Sequence, residues 1–175
     1  MTHAAPDYAE PFLGWRVWVV VEKGGALRLA SVLYPTVWPA RHELVASCRP
    51  RLGGDEVHAI PDPRCSCGIY AAASVDDAAT FFDGRGAGTP SELYRVIGQV
   101  SLWGSVIQGG RGWRASHAYP SRLYVPARCL SGPSSVSAES VALALTDYGV
   151  PVELLEGMTK HRVCAALMPE LPEAA

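Results

Sequence analysis

Residues 15–21 form an apolar run broken by Arg16 alone, and residues 26–33 form a second apolar stretch beyond Lys23-Gly24-Gly25. Apolar segments on either side of a Gly-Gly pair predict a β-hairpin, because two-residue turns need positive φ at their centre. The first arm shows little polar alternation, so it needs cover on both faces. It is far too short to cross a bilayer as a helix. A layered, β-rich domain is the expected result.

The rest of the chain is punctuated in the same way. Residues 34–39 read as a crossing loop and residues 42–47 as a short strand leading to Cys48. Ser74 opens a short helix, with Asp77 at the acidic capping-box position, Phe81 and Phe82 facing inward and Gly84 ending it. Residues 83–90 read as a flexible surface loop. Residues 94–103 and 105–108 are strand-like around a bulge at Gly104, and residues 113–119 return after the turn at 109–112. Pro120 is expected to break that strand, leaving 123–125 as a last short one. After a linker at 132–135, Ser137 caps a helix through Tyr148, stopped by Gly149 and Pro151. Residues 152–168 are open between a second helix and a helix–strand pair.

The fold class expected is α+β, mainly antiparallel β, a small rolled sheet or barrel with a short helix after a metal loop and a C-terminal helix. Residues 1–12 form a flexible N-terminal arm, 13–168 a single domain with its metal loop at 48–68 and its C-terminal helix at 137–148, and 169–175 a frayed tail. At 49% hydrophobic and 18% charged residues, the chain can bury a core of its own. A net charge of −2 excludes strong non-specific nucleic-acid binding and bulk attraction to anionic membranes. Arginine supplies 13 of the 15 basic residues and asparagine is absent, a GC-rich bacterial codon signature rather than a sign of phosphate binding. The N-terminus lacks the layout of a signal peptide, so the expectation is a cytoplasmic protein whose cysteines are thiols or metal ligands.

The chemistry-bearing feature is Cys48, nine residues, His58, six residues, Cys65, one residue, Cys67. Three thiols and an imidazole suit tetrahedral Zn²⁺, and the Gly- and Pro-rich segment between them has little apolar surface with which to hold itself. Gly68 lets the backbone approach a thiolate and supplies positive φ where needed. The same set admits other readings: small core cysteines beside a loop histidine, an iron–sulfur cluster, or a Cys–His nucleophile pairing Cys67 or Cys65 with His58. The zinc-deaminase pattern fails, because no Glu follows His58 at the required spacing and the cysteines are C-x-C. Asp55, Glu56 and Asp62 are possible general bases near the cluster, or simply solvated. Cys129 and Cys164 read as small hydrophobes.

A second passage runs from Trp103 through Arg111 at a hairpin tip to Trp113, Arg114, His117 and Tyr119. Aromatics with an arginine can stack on and hold a ligand, or can fill a core with the arginine at the surface. Trp103, Arg114 and Tyr119 are the candidate ligand-binding residues. His117 is open between a core or surface residue and a proton-transfer group.

The residues Trp38-Pro39, Ala46-Ser47-Cys48, His58, Pro61 and Cys65-Ser66-Cys67-Gly68-Ile69-Tyr70-Ala71, with Leu102-Trp103-Gly104 and Gly112-Trp113-Arg114-Ala115, resemble an uncharacterised family of actinobacterial and actinophage proteins. The resemblance spans residues 15–152 and implies no activity; it implies that the cluster and the tryptophan hairpin share one domain. Three functions follow as expectations: a zinc-stapled module binding a small ligand, a peptide or a nucleic-acid feature; a metal- or cysteine-dependent hydrolase or transferase centred on His58 and Cys67; and an interaction subunit docking a protein partner through its C-terminal helix.

Overall fold

Alternation along the first strand decides the architecture. In β1 (Phe12–Lys23), Trp18 and Val20 point into one core, while Val17, Val19 and Val21 point into another. Both faces are therefore covered, which is why the run shows no polar stripe. The computed structural model describes residues 10–48, 58–83, 91–129, 134–156 and 160–167.

The Gly24-Gly25 turn joins β1 to β2 (Ala26–Ser31) with Lys23 opposite Ala26, and both glycines have positive φ, 61° and 77°. That is the mirror-image turn whose twist matches the flanking strands. Two long strands, β5 (Tyr94–Gly109) and β6 (Gly112–Pro126), form a second antiparallel hairpin. β5 also pairs with β1 from Phe12↔Leu102 to Val20↔Tyr94. The outer edge of β6 carries three short strands: β3 (Leu44–Val45), β4 (Ile69–Ala72) and β7 (Val152–Leu155).

One of these closes a circle. β4 pairs with β6 over its full length and with β1 at Trp15↔Ala72, so β1, β5, β6 and β4 form a ring of four strands. Glycines permit the approach: a Cβ on Gly14 would sit 2.6 Å from that of Ala71, and one on Gly112 would sit 2.1 Å from the Ala71 carbonyl oxygen.

The helices complete the layers. α1 (Val75–Ala79, continued by a 3-10 turn, Thr80–Asp83) and α3 (Lys160–Leu167) cover one face through Val75, Ala78, Phe82, Val163 and Cys164. α2 (Ala138–Leu145) covers the other through Val141 and Leu145, followed by Tyr148. Each fully buried aliphatic or aromatic side chain here contributes roughly 1.5–3 kcal/mol. The Tyr148 hydroxyl inside this core is fully partnered: it accepts from the Leu29 N–H at 2.9 Å and donates to the Trp38 carbonyl at 2.7 Å. The buried Arg95 guanidinium pairs with Glu92 through two bonds, 2.6 and 2.9 Å.

The α+β, antiparallel-dominated expectation holds, with corrections. The sheet is a four-stranded ring with appended strands rather than a true barrel, and it is mixed, because β7 runs parallel to β6. The arm expected to reach residue 12 ends earlier, since Phe12 pairs with Leu102. Pro120 does not break the strand: β6 runs through it beside a register shift at Ser121, where a missing N–H is tolerated. Gly104, at φ 74°, does sit in the expected bulge. Ser74 caps α1 as expected, accepting from the Asp77 N–H at 3.1 Å. Phe82 is buried, but Phe81 is 43% exposed, because consecutive residues of a 3-10 turn cannot share a face. Residues 152–155 and 160–167 resolve as a strand and then a helix. Gly84 and the rest of the expected 83–90 loop beyond residue 83, most of the arm, half of the 132–135 linker and the 169–175 tail lie outside the described residues. Among the described residues, no helix is long and apolar enough to cross a membrane.

Candidate metal centre

Three segments anchored to β6 or the ring deliver the ligand-type residues. β3 pairs with β6 at Leu44↔Ala118 and Val45↔His117, and the Ala46 N–H extends that contact to the Ser116 carbonyl at 2.7 Å. Cys48 follows two residues later. On the other side, Cys67 and Gly68 lead directly into β4, which the ring holds from both edges. Between them, Asp62-Pro63-Arg64-Cys65 forms a β-turn closed by the Cys65 N–H donating to the Asp62 carbonyl at 3.0 Å. Asp at the first position and Pro at the second are the residues that turn prefers, and the Asp62 carboxylate also accepts from the Arg64 N–H at 2.7 Å.

The four side chains converge. Their ligand atoms, the sulfurs of Cys48, Cys65 and Cys67 and a ring nitrogen of His58, all lie within 4.8 Å of one another. The Cys48 and Cys65 sulfurs are 3.7 Å apart. A tetrahedron with metal–sulfur bonds of about 2.3 Å has S···S edges of about 3.8 Å. His58 Nδ1 lies 2.8 Å from the Ala59 carbonyl oxygen, which can only accept, so Nδ1 carries the proton and Nε2 keeps its lone pair. A metal-binding histidine is commonly oriented in this way.

The electrostatics separate the thiols. Cys65 is drawn down to about 7, chiefly by the Cys67 backbone N–H and the Cys48 thiol donating to its sulfur, with His58 adding charge. Cys48, the donor in that pair, is pushed up to about 11 by that contact, by desolvation and by the neighbouring sulfurs. His58 is raised, first by its bond to the Ala59 carbonyl and also by the Cys65 thiolate. Thiolate character is thus favoured at Cys65, which accepts from the thiol of Cys48.

Arg114 holds the loop from outside. It stands opposite Tyr70 in the β4–β6 register, and its guanidinium donates to the carbonyls of Cys67 and Asp62, each at 2.9 Å, and to that of Cys65. A planar fork spreads its donors over separate nitrogens to reach three carbonyls, where an ammonium offers them from a single point. Gly68, at φ 115°, passes beneath it, and a Cβ there would lie 3.1 Å from Pro61 and 3.3 Å from the Arg114 Cβ.

The other sequence candidates lie elsewhere. Trp103 stacks on His117 with centroids 6.1 Å apart, and His117 Nδ1 meets the Ser116 hydroxyl at 2.8 Å. The Tyr119 hydroxyl accepts from the Arg41 N–H at 2.6 Å and donates to the Tyr148 carbonyl at 2.8 Å. The polar ends of Arg114 and Tyr119 thus serve the fold. Asp55 and Glu56 lie outside the described residues. Sequence reasoning missed Arg16, whose guanidinium lies 5.1 Å from the Trp38 ring centroid and donates to the Ser31 hydroxyl at 3.1 Å and to the Tyr70 carbonyl. Its signal was present: one cation inside an otherwise apolar strand. Comparison with family models, curated proteins and solved structures returns no match for this chain.

Proposed function

We propose that this protein is a zinc-stapled β-rich binding module, with Cys48, His58, Cys65 and Cys67 as the four ligands of one structural ion. One observation carries the reading: four soft or borderline donors from separate segments meet within 4.8 Å of one another, and the Cys48–Cys65 sulfur pair, at 3.7 Å, matches the edge of a tetrahedron around one ion. Zinc fits this set better than a hard cation, which prefers oxygen ligands. An iron–sulfur cluster distributes its ligands over several irons and spaces them more widely than one ion does. Four protein ligands leave no open position for substrate, so the ion's chemistry is to neutralise three thiolates and tie the loop to the ring. A metal-free cysteine nucleophile needs one thiol and one base, and would leave two further sulfurs beside it without a role.

Elemental analysis of the purified chain tests this directly. The expected result is about one zinc per chain, lost on mutation of any of the four ligands. Cobalt exchange should give the visible spectrum of a tetrahedral thiolate site. Purified protein that binds neither metal, with all cysteines freely titratable, would overturn the reading.

A further inference from the structure

Five large apolar side chains that stand exposed, Leu33, Tyr34, Val45, Tyr70 and Phe81, line one groove of about 1000 Å³. Scattered exposed apolar residues need no explanation, but a cluster around a concavity marks a binding surface. The end of β2, β4, α1 and the β5–β6 hairpin tip form its walls, with the metal loop contributing Cys48 and Cys65–Gly68.

Its charged lining is one-sided. Beside the cysteine sulfurs of the cluster, the ionic side chains are Arg16, Arg111, Arg114 and Asp77. Asp77 accepts from the Ser74 hydroxyl at 2.8 Å in the cap of α1, and Arg114 is committed to three carbonyls of the metal loop. Arg16 donates to the Ser31 hydroxyl and the Tyr70 carbonyl, which are neutral partners, and among the described residues neither Arg16 nor Arg111 has a carboxylate within 4.0 Å. Arg16 is half-buried, its Nε–H is enclosed without an acceptor among the described residues, and burial pulls it down to about 10. A desolvated guanidinium without a counter-ion is costly, and a bound anion would offset that cost. A positive, aromatic-lined groove on a chain of net charge −2 is a local departure from the molecule's own balance.

We propose that this groove binds a small amphiphilic anion, its carboxylate or phosphate headgroup at Arg16 and its aliphatic or aromatic body along Leu33, Tyr34 and Phe81. The inference rests on the binding-module reading above, but not on which ion occupies the cysteine cluster. The volume suits a ligand of this size, and such sites pair an apolar lining with few polar anchors.

The test uses the full chain, with metal content measured on every sample. Anilinonaphthalene sulfonate serves as the fluorescent probe, displaced by octanoate, octyl phosphate, octanol or octylammonium. Octanoate or octyl phosphate should displace it at about tenfold lower concentration than octanol, the ratio expected of one charge-assisted hydrogen bond. Octylammonium should not displace it, and the tighter of the two anions names the headgroup. Leu33→Glu and Phe81→Glu, both at exposed positions, should each weaken the probe about tenfold with metal content unchanged. Arg16→Lys should shrink the preference for anion over alcohol.

Equal displacement by octanol and octanoate overturns the proposal, as does probe binding that survives both glutamate variants. A dimer that Leu33→Glu dissociates, and that excludes the probe, overturns it in favour of a second copy of the chain. Anion selectivity without bound metal would remove the zinc reading and leave this one standing. Bound zinc without anion selectivity would do the reverse.

Discussion

The ring and the loop it carries are stabilised in opposite ways. In β1, Trp18, Val19 and Val20 are wholly buried, and the strand would keep its place through burial alone. In the loop from His58 to Gly68, Pro61 is the one buried residue among those described, and Pro63, Arg64 and Ser66 are exposed. The loop's order comes from an Asx-type turn, the Arg114 fork and the convergence of four ligand atoms. Where apolar side chains are scarce, a few directional contacts replace many weak ones, so the loop fails abruptly when one is removed.

That contrast can be broken or sharpened experimentally. The largest effect is expected for Cys65→Ser: zinc affinity should fall by several orders of magnitude, since apparent binding energies of structural sites are about 10–16 kcal/mol. Far-UV circular dichroism should retain the strand signal, while tryptic cleavage at Arg64 accelerates. Loss of strands together with zinc would show that the two regions are not separable. Next, Trp18→Ala should destabilise the ring by about 3–5 kcal/mol in urea, with the folded fraction still holding one zinc. A variant that lost zinc in step with stability would make the core the organiser of the site. Arg114→Lys is smaller: zinc affinity should drop about 10–100-fold, the usual consequence of altering a contact behind the ligands. Competition with a chromogenic chelator measures it, and an unchanged affinity would reduce Arg114 to a bystander.

The last effect belongs to the core and not to the loop. Burial pushes Tyr94 and Tyr148 up from an ordinary value of 10 to about 12, and their hydroxyls donate to the Pro126 carbonyl at 2.6 Å and the Trp38 carbonyl at 2.7 Å. A folded value above the unfolded one means the native state holds protons more tightly, so this stability is complete below pH 10 and is lost as pH rises towards 12. Melting temperature should fall across that window. A flat profile there would show that neither hydroxyl is held as described.

What could be read from the sequence was what is local. The Gly24-Gly25 hairpin, the Ser74 cap, the Gly104 bulge and the helix from Ser137 each depend on a few adjacent residues. The ligand set was legible for another reason: few residue types can bind a soft metal, and four fell within a short span. What depends on distant partners was not legible. Closure of the ring by β4 requires Gly14 and Gly112 to meet Ala71, three positions with no common local signature. Arg114 could be recognised as important but not assigned, because its carbonyl partners stand 47 to 52 residues away. Residues 152–155 are too short to declare a strand until β6 supplies a parallel edge. Arg16 interrupts an apolar run, but its role depends on Trp38 and on a groove made by other elements.

The direct passage from Cys67 through Gly68 into β4 sets where the polypeptide tolerates a change of length. One residue inserted after Cys67 would turn β4 over, exchanging the side chains on its two faces and carrying the sulfur away from its partners. Upstream of His58 the constraint is weaker, because Cys48 comes after β3 instead of leading into a strand, so length added beyond it shifts no strand register. Natural variation or an inserted tag should therefore accumulate upstream of His58, while the spacing from Cys65 to Ile69 stays fixed.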